Sequence, residues 1–162
     1  MRERSVVIWD LETVPDLGGF AAANDLVGKS EPEVREAIGD KFPKHIYHSI
    51  VCVRALIAHR EPDYWSVDAI GAPYVGERTE KQLITAFCDK IAELSPRLVT
   101  FNGNSFDLPV LRYRAMIQGV SAGLHVPKGL NQRIEARIVW TIIQMGPASG
   151  PHSKLDESGP RT

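Results

Sequence analysis

Two acidic residues, Asp10 and Glu12, close a short apolar run, Ser5-Val6-Val7-Ile8-Trp9-Asp10-Leu11-Glu12-Thr13. Val, Ile and Trp favour extended backbone, and a run of this length before a Pro15-Asp16 break reads as a buried strand. Alternate side chains of a strand share a face, so Asp10 and Glu12 point one way while Trp9 and Leu11 point the other. Carboxylates roughly 6–7 Å apart on one face repel each other and lose hydration. A divalent cation relieves both costs, and Mg²⁺ or Mn²⁺ takes hard oxygen ligands of this kind. A third carboxylate, Asp107, stands at the start of a helix that follows a later strand. If that strand neighbours the first, Asp107 arrives beside Asp10 and Glu12. Three carboxylates at one point suit a pair of metal ions about 3.5–4 Å apart, a centre that activates water for phosphodiester cleavage. Taken singly, each has a plainer reading. Asp-x-Glu is then a strand end in solvent, and Asp107 a helix-start carboxylate favoured by the free N–H groups there.

The elements that must position these residues follow from periodicity. Residues 15–45 read as an insertion. Asp16-Leu17-Gly18-Gly19-Phe20 is its opening turn, and short Ala-rich and Glu-rich helical pieces follow, the second with Ser30 as cap, Glu33 completing a capping box and Gly39 as the stop. Lys29, Lys41 and Lys44 with Phe42 make this insertion basic and aromatic, a character that a solvated surface explains as well as a nucleic-acid contact does. Residues 46–58 are apolar on both faces, the mark of a central strand, and the charged connection over 60–63 makes a hairpin with a third strand at 65–70. His45 and His48 lie at the start of the second strand facing opposite sides, and no metal role is expected of them. Residues 79–94 form an amphipathic helix with Leu83, Ile84, Phe87, Ile91 and Leu94 on one stripe, stopped by Ser95-Pro96. A fourth strand is expected at 97–101. A helix at 107–119 would bury Leu108, Val110, Leu111, Ala115 and Met116 and expose Arg112 and Arg114. Three strands, a helix, a strand and a helix specify an α/β fold, a mixed sheet with helices against it.

With 162 residues the chain is long enough for one domain with a real core. A net charge of −1 carries no global basic field, so a nucleic-acid partner would be held by a local patch and metal ions. Cys52 and Cys88 have no metal-site spacing and read as small core residues of a reducing compartment. No apolar stretch approaches the roughly 20 residues of a membrane span, and Asp10 interrupts the first run too early for a signal peptide. The cytoplasm is the expected location.

Trp9-Asp10-Leu11-Glu12-Thr13 resembles the first motif of the DEDD superfamily of 3′–5′ exonucleases. Phe101-Asn102-Gly103-Asn104-Ser105-Phe106-Asp107-Leu108-Pro109 resembles the second, an N-x₃-(F/Y)-D pattern. With Lys41-Phe42-Pro43-Lys44-His45-Ile46-Tyr47 and Leu111-Arg112-Tyr113-Arg114, the chain over residues 4–125 is similar to a bacterial family of predicted exonucleases related to the proofreading domain of family B DNA polymerases. The resemblance implies a ribonuclease H-like fold, a five-stranded mixed sheet with its first three strands antiparallel and helices flanking it. It also implies roles for residues: Asp10 and Glu12 binding the catalytic metal, and Asp107 the second, the ions being Mg²⁺ or Mn²⁺. Leu11 and Thr13 would lie near the 3′-terminal nucleotide, and Asn102, Asn104 and Phe106 would shape the strand groove. The implied substrate is a single-stranded DNA or RNA 3′ end.

One part of the family pattern is missing. The family carries a third motif on a late helix, a Tyr or His followed by an Asp that supplies a fourth carboxylate. No such helix is read after residue 127. His152-Ser153-Lys154-Leu155-Asp156 has H-x₃-D spacing but stands in a stretch, 146–162, with three Gly, three Pro and three Ser, and is read as coincidence. Residues 1–127 are therefore expected to be a C-terminally incomplete exonuclease-like domain, and 128–162 a divergent, poorly ordered tail of the kind a shifted frame or truncated gene produces. Activity is expected to be weak or absent for want of the fourth carboxylate. The alternative is a non-catalytic nucleic-acid- or partner-binding remnant of the same fold.

Overall fold

The computed structural model describes residues 5–120. Strand β1 (Ser5–Pro15) leads through helices α1 (Leu17–Ala23) and α2 (Glu31–Ile38) to a single 3₁₀ turn at His45–Tyr47. Strands β2 (His48–Arg60) and β3 (Trp65–Gly71), helix α3 (Glu80–Leu94), strand β4 (Arg97–Val99) and helix α4 (Leu108–Ile117) follow. The sheet order is β3-β2-β1-β4. β1 pairs antiparallel with β2, β2 antiparallel with β3, and β1 parallel with β4. Helices flank this mixed four-stranded sheet, the α/β arrangement of a ribonuclease H-like fold.

Alternation along β1 divides the molecule. Val7, Trp9 and Leu11 enter the main core with Ile50 and Val53 of β2, facing Leu83, Ile84 and Phe87 of α3 and Leu108, Leu111 and Ala115 of α4. Leu83, Ile84 and Leu111 are fully buried, each stabilising the fold by about 1.5–3 kcal/mol relative to exposure. Trp9 lies against Phe87 with ring centroids 4.8 Å apart. The other sheet face carries a smaller cluster, Val6, Ala58 and Val99 with Ile8, Leu56 and Trp65 packed on it, and every member comes from a strand. Asp10 and Glu12, out of phase with Trp9 and Leu11, belong to this second face.

The helices end and begin where local chemistry dictates. Thr79 caps α3 by accepting from the Gln82 backbone N–H at 3.2 Å, and the Gln82 side chain accepts from the Thr79 N–H at 2.9 Å. Ser30 and Glu33 form the capping box of α2, and Gly39 leaves that helix with φ +70°, a conformation glycine adopts without strain.

Four local expectations need correction. The Asp16–Phe20 stretch is not a turn but the start of α1, because Asp16 accepts from the Gly19 N–H at 2.9 Å and Phe20 packs edge-on against Tyr47. Local capping and a tertiary contact outweigh the poor helix propensity of Gly18-Gly19. Residues 46 and 47 belong to the 3₁₀ turn, and β2 begins at His48. The fourth strand stops at Val99, and one wide π turn over Gly103–Asp107 precedes α4. Within α4, Met116 is exposed and Arg114 is buried, the reverse of the amphipathic reading. Arg114 is inside because Asp16 and Glu80 are there to pair with it.

Cys88 is buried and burial pushes its thiol up to about 11, while Cys52 is half-buried; both are free. Among the described residues no helix is long and apolar enough to cross a membrane. The boundary expected at residue 127, the 128–162 tail and His152…Asp156 lie outside the described residues.

Candidate active site

Asp107 reaches its place through two neighbouring devices. β4 runs parallel to β1 with Val99 opposite Ile8, so the chain leaving β4 emerges at the end of β1 that bears Asp10. The π turn then widens the backbone before α4, with the Leu108 N–H donating to the Gly103 carbonyl. Such wide turns recur at functional sites, since they re-aim a side chain that a regular helix would direct elsewhere. Asp107 is only 2% exposed. It makes no capping bond to its own helix; its Oδ2 accepts the Thr100 hydroxyl instead. The plain helix-start reading therefore does not account for it.

Burial raises the Asp107 pKa above the ordinary carboxylate range, and the charge of Asp10 raises it further. Donation from Thr100 and from the Asn102 backbone N–H pulls the other way without cancelling the shift. The chain leaving β4 thus carries Asp107 to the end of β1 where Asp10 stands, near enough for the charge of Asp10 to bear on it. Glu12 is placed differently. Its carboxylate lies 3.2 Å from the Arg54 guanidinium, and Arg54 sits on β2 directly opposite Asp10. Sequence reasoning passed over Arg54, although antiparallel pairing of the first two strands would have put a cation on the carboxylate face.

The described residues gather no group of three or more His, Cys, Asp or Glu side chains disposed to hold a metal ion. The Asp10–Asp107 pair still suits one Mg²⁺ or Mn²⁺, because such an ion is commonly held by one or two carboxylates with waters and substrate phosphates completing its shell. The burial of the Asp107 carboxyl beside Asp10 is the observation that would fit a cation. Glu12 already gives one carboxylate oxygen, Oε1, to Arg54.

The remaining expected residues divide into two groups. Leu11 is 6% exposed with its side chain in the main core, so any contact it makes to a nucleotide would be through its backbone. Thr13 Oγ1 lies 3.1 Å from His48 Nδ1. Asn102, just before the π turn, and Asn104, on it, are exposed, with Asn102 Oδ1 accepting from Ser105 Oγ at 2.8 Å. Phe106 is half-buried and lies against the rings of Phe42, His45 and His48.

The mixed sheet and its flanking helices define a ribonuclease H-type domain. Residues 40–138 match the family described as predicted 3′–5′ exonucleases related to the exonuclease domain of PolB, and with more than half its length inside that match the chain belongs to this family. The match takes in Phe42, Arg54, the π turn and Asp107, while Asp10 and Glu12 precede it. No curated protein matches the chain.

Proposed function

We propose that this chain is a metal-dependent 3′–5′ exonuclease that removes nucleotides from single-stranded DNA ends. Water would attack the terminal phosphodiester, the P–O bond to the penultimate sugar would break, and a nucleoside monophosphate would leave. A bound Mg²⁺ or Mn²⁺ would supply an activated water and offset charge on the phosphoryl oxygens. Asp10 and Asp107 are the residues to hold it, and Thr100 fixes the orientation of Asp107 by donating to it. Glu12 is the third candidate ligand, held by Arg54 until a cation competes for it. The observation that carries this reading is the buried Asp107 carboxylate coupled to Asp10 in a chain of an exonuclease family.

The fourth carboxylate of the superfamily pattern has no assigned counterpart in this chain, so low turnover is the expected outcome. A 3′-labelled single-stranded oligonucleotide, incubated with Mn²⁺ and either the natural chain or Asp10→Ala, tests the proposal. Slow cleavage that disappears in Asp10→Ala supports it; cleavage unchanged by that substitution, or none at all, removes it. A second reading is favoured by the Glu12–Arg54 pair, which leaves the carboxylates undersupplied for two ions. That reading is a nucleic-acid-binding protein without turnover. It expects no rise in melting temperature on adding Mn²⁺, whereas an ion bound to the folded chain raises it.

A further inference from the structure

A group of rings stands beside the carboxylates, and its outermost member is in water. Phe42 is 72% exposed. It is nevertheless held in place, 4.9 Å from the His48 ring and 5.6 Å from Phe106 by centroid distance. Phe106 in turn stands edge-on to His48 at 5.1 Å and to His45 at 5.8 Å. His48 anchors the group. It is buried, and its Nε2 lies 3.2 Å from the Pro43 carbonyl oxygen, which can only accept. Nε2 therefore carries the proton, and in the neutral ring Nδ1 accepts from Thr13. Pro43 adds stiffness by confining Phe42 to extended backbone.

A single exposed phenylalanine needs no explanation. This one is preorganised on two further rings, and those rings adjoin the candidate site at two points. Phe106 immediately precedes Asp107, and His48 is bonded to Thr13, the residue after Glu12. Lys41 and Lys44 flank it, both exposed, and neither is paired with a carboxylate among the described residues. A supported ring with one lysine directly before it in sequence and another two residues after it matches an unpaired nucleobase and its neighbouring phosphates. A duplex, whose base faces are already stacked, offers it nothing.

We infer that Phe42, supported by Phe106 and His48, stacks an unpaired base of a single-stranded nucleic acid while Lys41 and Lys44 contact the adjoining phosphates. This deepens the exonuclease reading and rests on it for the direction in which the strand runs toward Asp107. Base stacking on an aromatic side chain tolerates any sequence, so the platform selects single strands and not a base.

The test is fluorescence anisotropy of a labelled oligothymidylate with the full chain in EDTA, where cleavage cannot intervene. Phe42→Ala is expected to weaken binding roughly ten-fold, within the range of one stacked base, and Phe42→Trp to preserve it. An oligonucleotide of equal length lacking its bases should bind the natural chain as weakly as oligothymidylate binds Phe42→Ala. The Lys41→Ala/Lys44→Ala pair should flatten the salt dependence by about 0.7 in log–log slope for each phosphate no longer neutralised. The inference is overturned if the natural chain binds the base-free strand as well as the normal one, a comparison that needs no variant to fold. It is overturned equally if Phe42→Ala, with unchanged circular dichroism, binds like the natural chain. Failure of the exonuclease reading looks different: no cleavage with Mn²⁺, yet base-dependent binding that Phe42→Ala weakens.

Discussion

Arg54 holds the Glu12 carboxylate at 3.2 Å from the neighbouring strand, on the same face of the sheet as Asp10. Both partners are open to solvent, with side chains 61% and 45% exposed, so the pair is worth at most about 1 kcal/mol. A divalent cation beside Asp10 can therefore draw Glu12 away at small cost. Replacing Arg54 by Gln should lower the Mn²⁺ concentration for half-maximal effect by up to about five-fold while leaving thermal stability nearly unchanged. A Mn²⁺ titration of melting temperature for both proteins checks this. Weaker Mn²⁺ binding in Arg54→Gln would mean that the arginine supports the site.

Asp107 is buried beside Asp10, and burial first and Asp10 second raise the cost of ionising it, a cost that the Thr100 and Asn102 donors only partly offset. Asparagine has nearly the same shape and keeps an acceptor for the Thr100 hydroxyl, but it cannot ionise. Asp107→Asn should therefore melt a few degrees higher than the natural chain in EDTA at neutral pH, and lose its stabilisation by Mn²⁺. Exonuclease activity, measured in parallel, should fall by at least about 100-fold, the order seen when one electrostatic contributor to a transition state is removed. A variant that is less stable in EDTA would show that the carboxylate is structural.

Much of this fold is legible in the chain because hydrophobic period and capping chemistry agree with it. The Leu83, Ile84, Phe87 stripe and the Thr79 cap define α3, and the alternation of Trp9 and Leu11 with Asp10 and Glu12 sets the two faces of β1. The convergence of Asp107 with Asp10 is also readable, given a parallel β1–β4 neighbourhood. What periodicity does not carry is partner chemistry. Arg114 reads as a solvent-facing residue until Asp16 and Glu80, distant in sequence, are seen to enclose it. Glu12 reads as a free ligand until strand pairing brings Arg54 across. The π turn has no sequence pattern of its own, so the orientation of Asp107 and the shortness of β4 emerge only in three dimensions.

Arg114 joins three parts of the chain from within. Its side chain is 4% exposed; Nε and Nη2 donate to Glu80 at 2.8 and 2.6 Å, and Nη1 donates to Asp16 at 2.6 Å. Burial alone would lower its pKa, but Glu80 and Asp16 outweigh that and hold it above its ordinary value. Glu80 also accepts the Ile50 backbone N–H at 2.7 Å, so the network ties α4 and α3 to β2 and to the start of α1. Arg114→Ala leaves two acids without their cation and should destabilise the fold by about 3 kcal/mol or more in urea unfolding. Lysine, a point charge without the planar fork, should recover only part of that. Full recovery by Arg114→Lys would mean that charge alone, and not the bidentate geometry, matters.

His59, at the β2–β3 hairpin, gives the domain a pH dependence separate from the site. Its Nε2 lies 2.9 Å from Glu61 Oε1 and its Nδ1 2.7 Å from Asp68 Oδ1, so a protonated ring satisfies both acids. Glu61 first and Asp68 second raise its pKa above 6.5. A raised folded-state pKa means that the folded chain holds the proton more tightly than the unfolded one. The stabilisation is thus fully present below the unfolded value and is lost as pH rises through the raised one. Solvent screens the cluster, so the effect should be modest. The melting temperature of the natural chain minus that of His59→Gln should be positive near pH ~6 and shrink toward zero by pH ~9. A difference that grows with pH would reverse the assignment and place the neutral ring, not the imidazolium, between the two carboxylates.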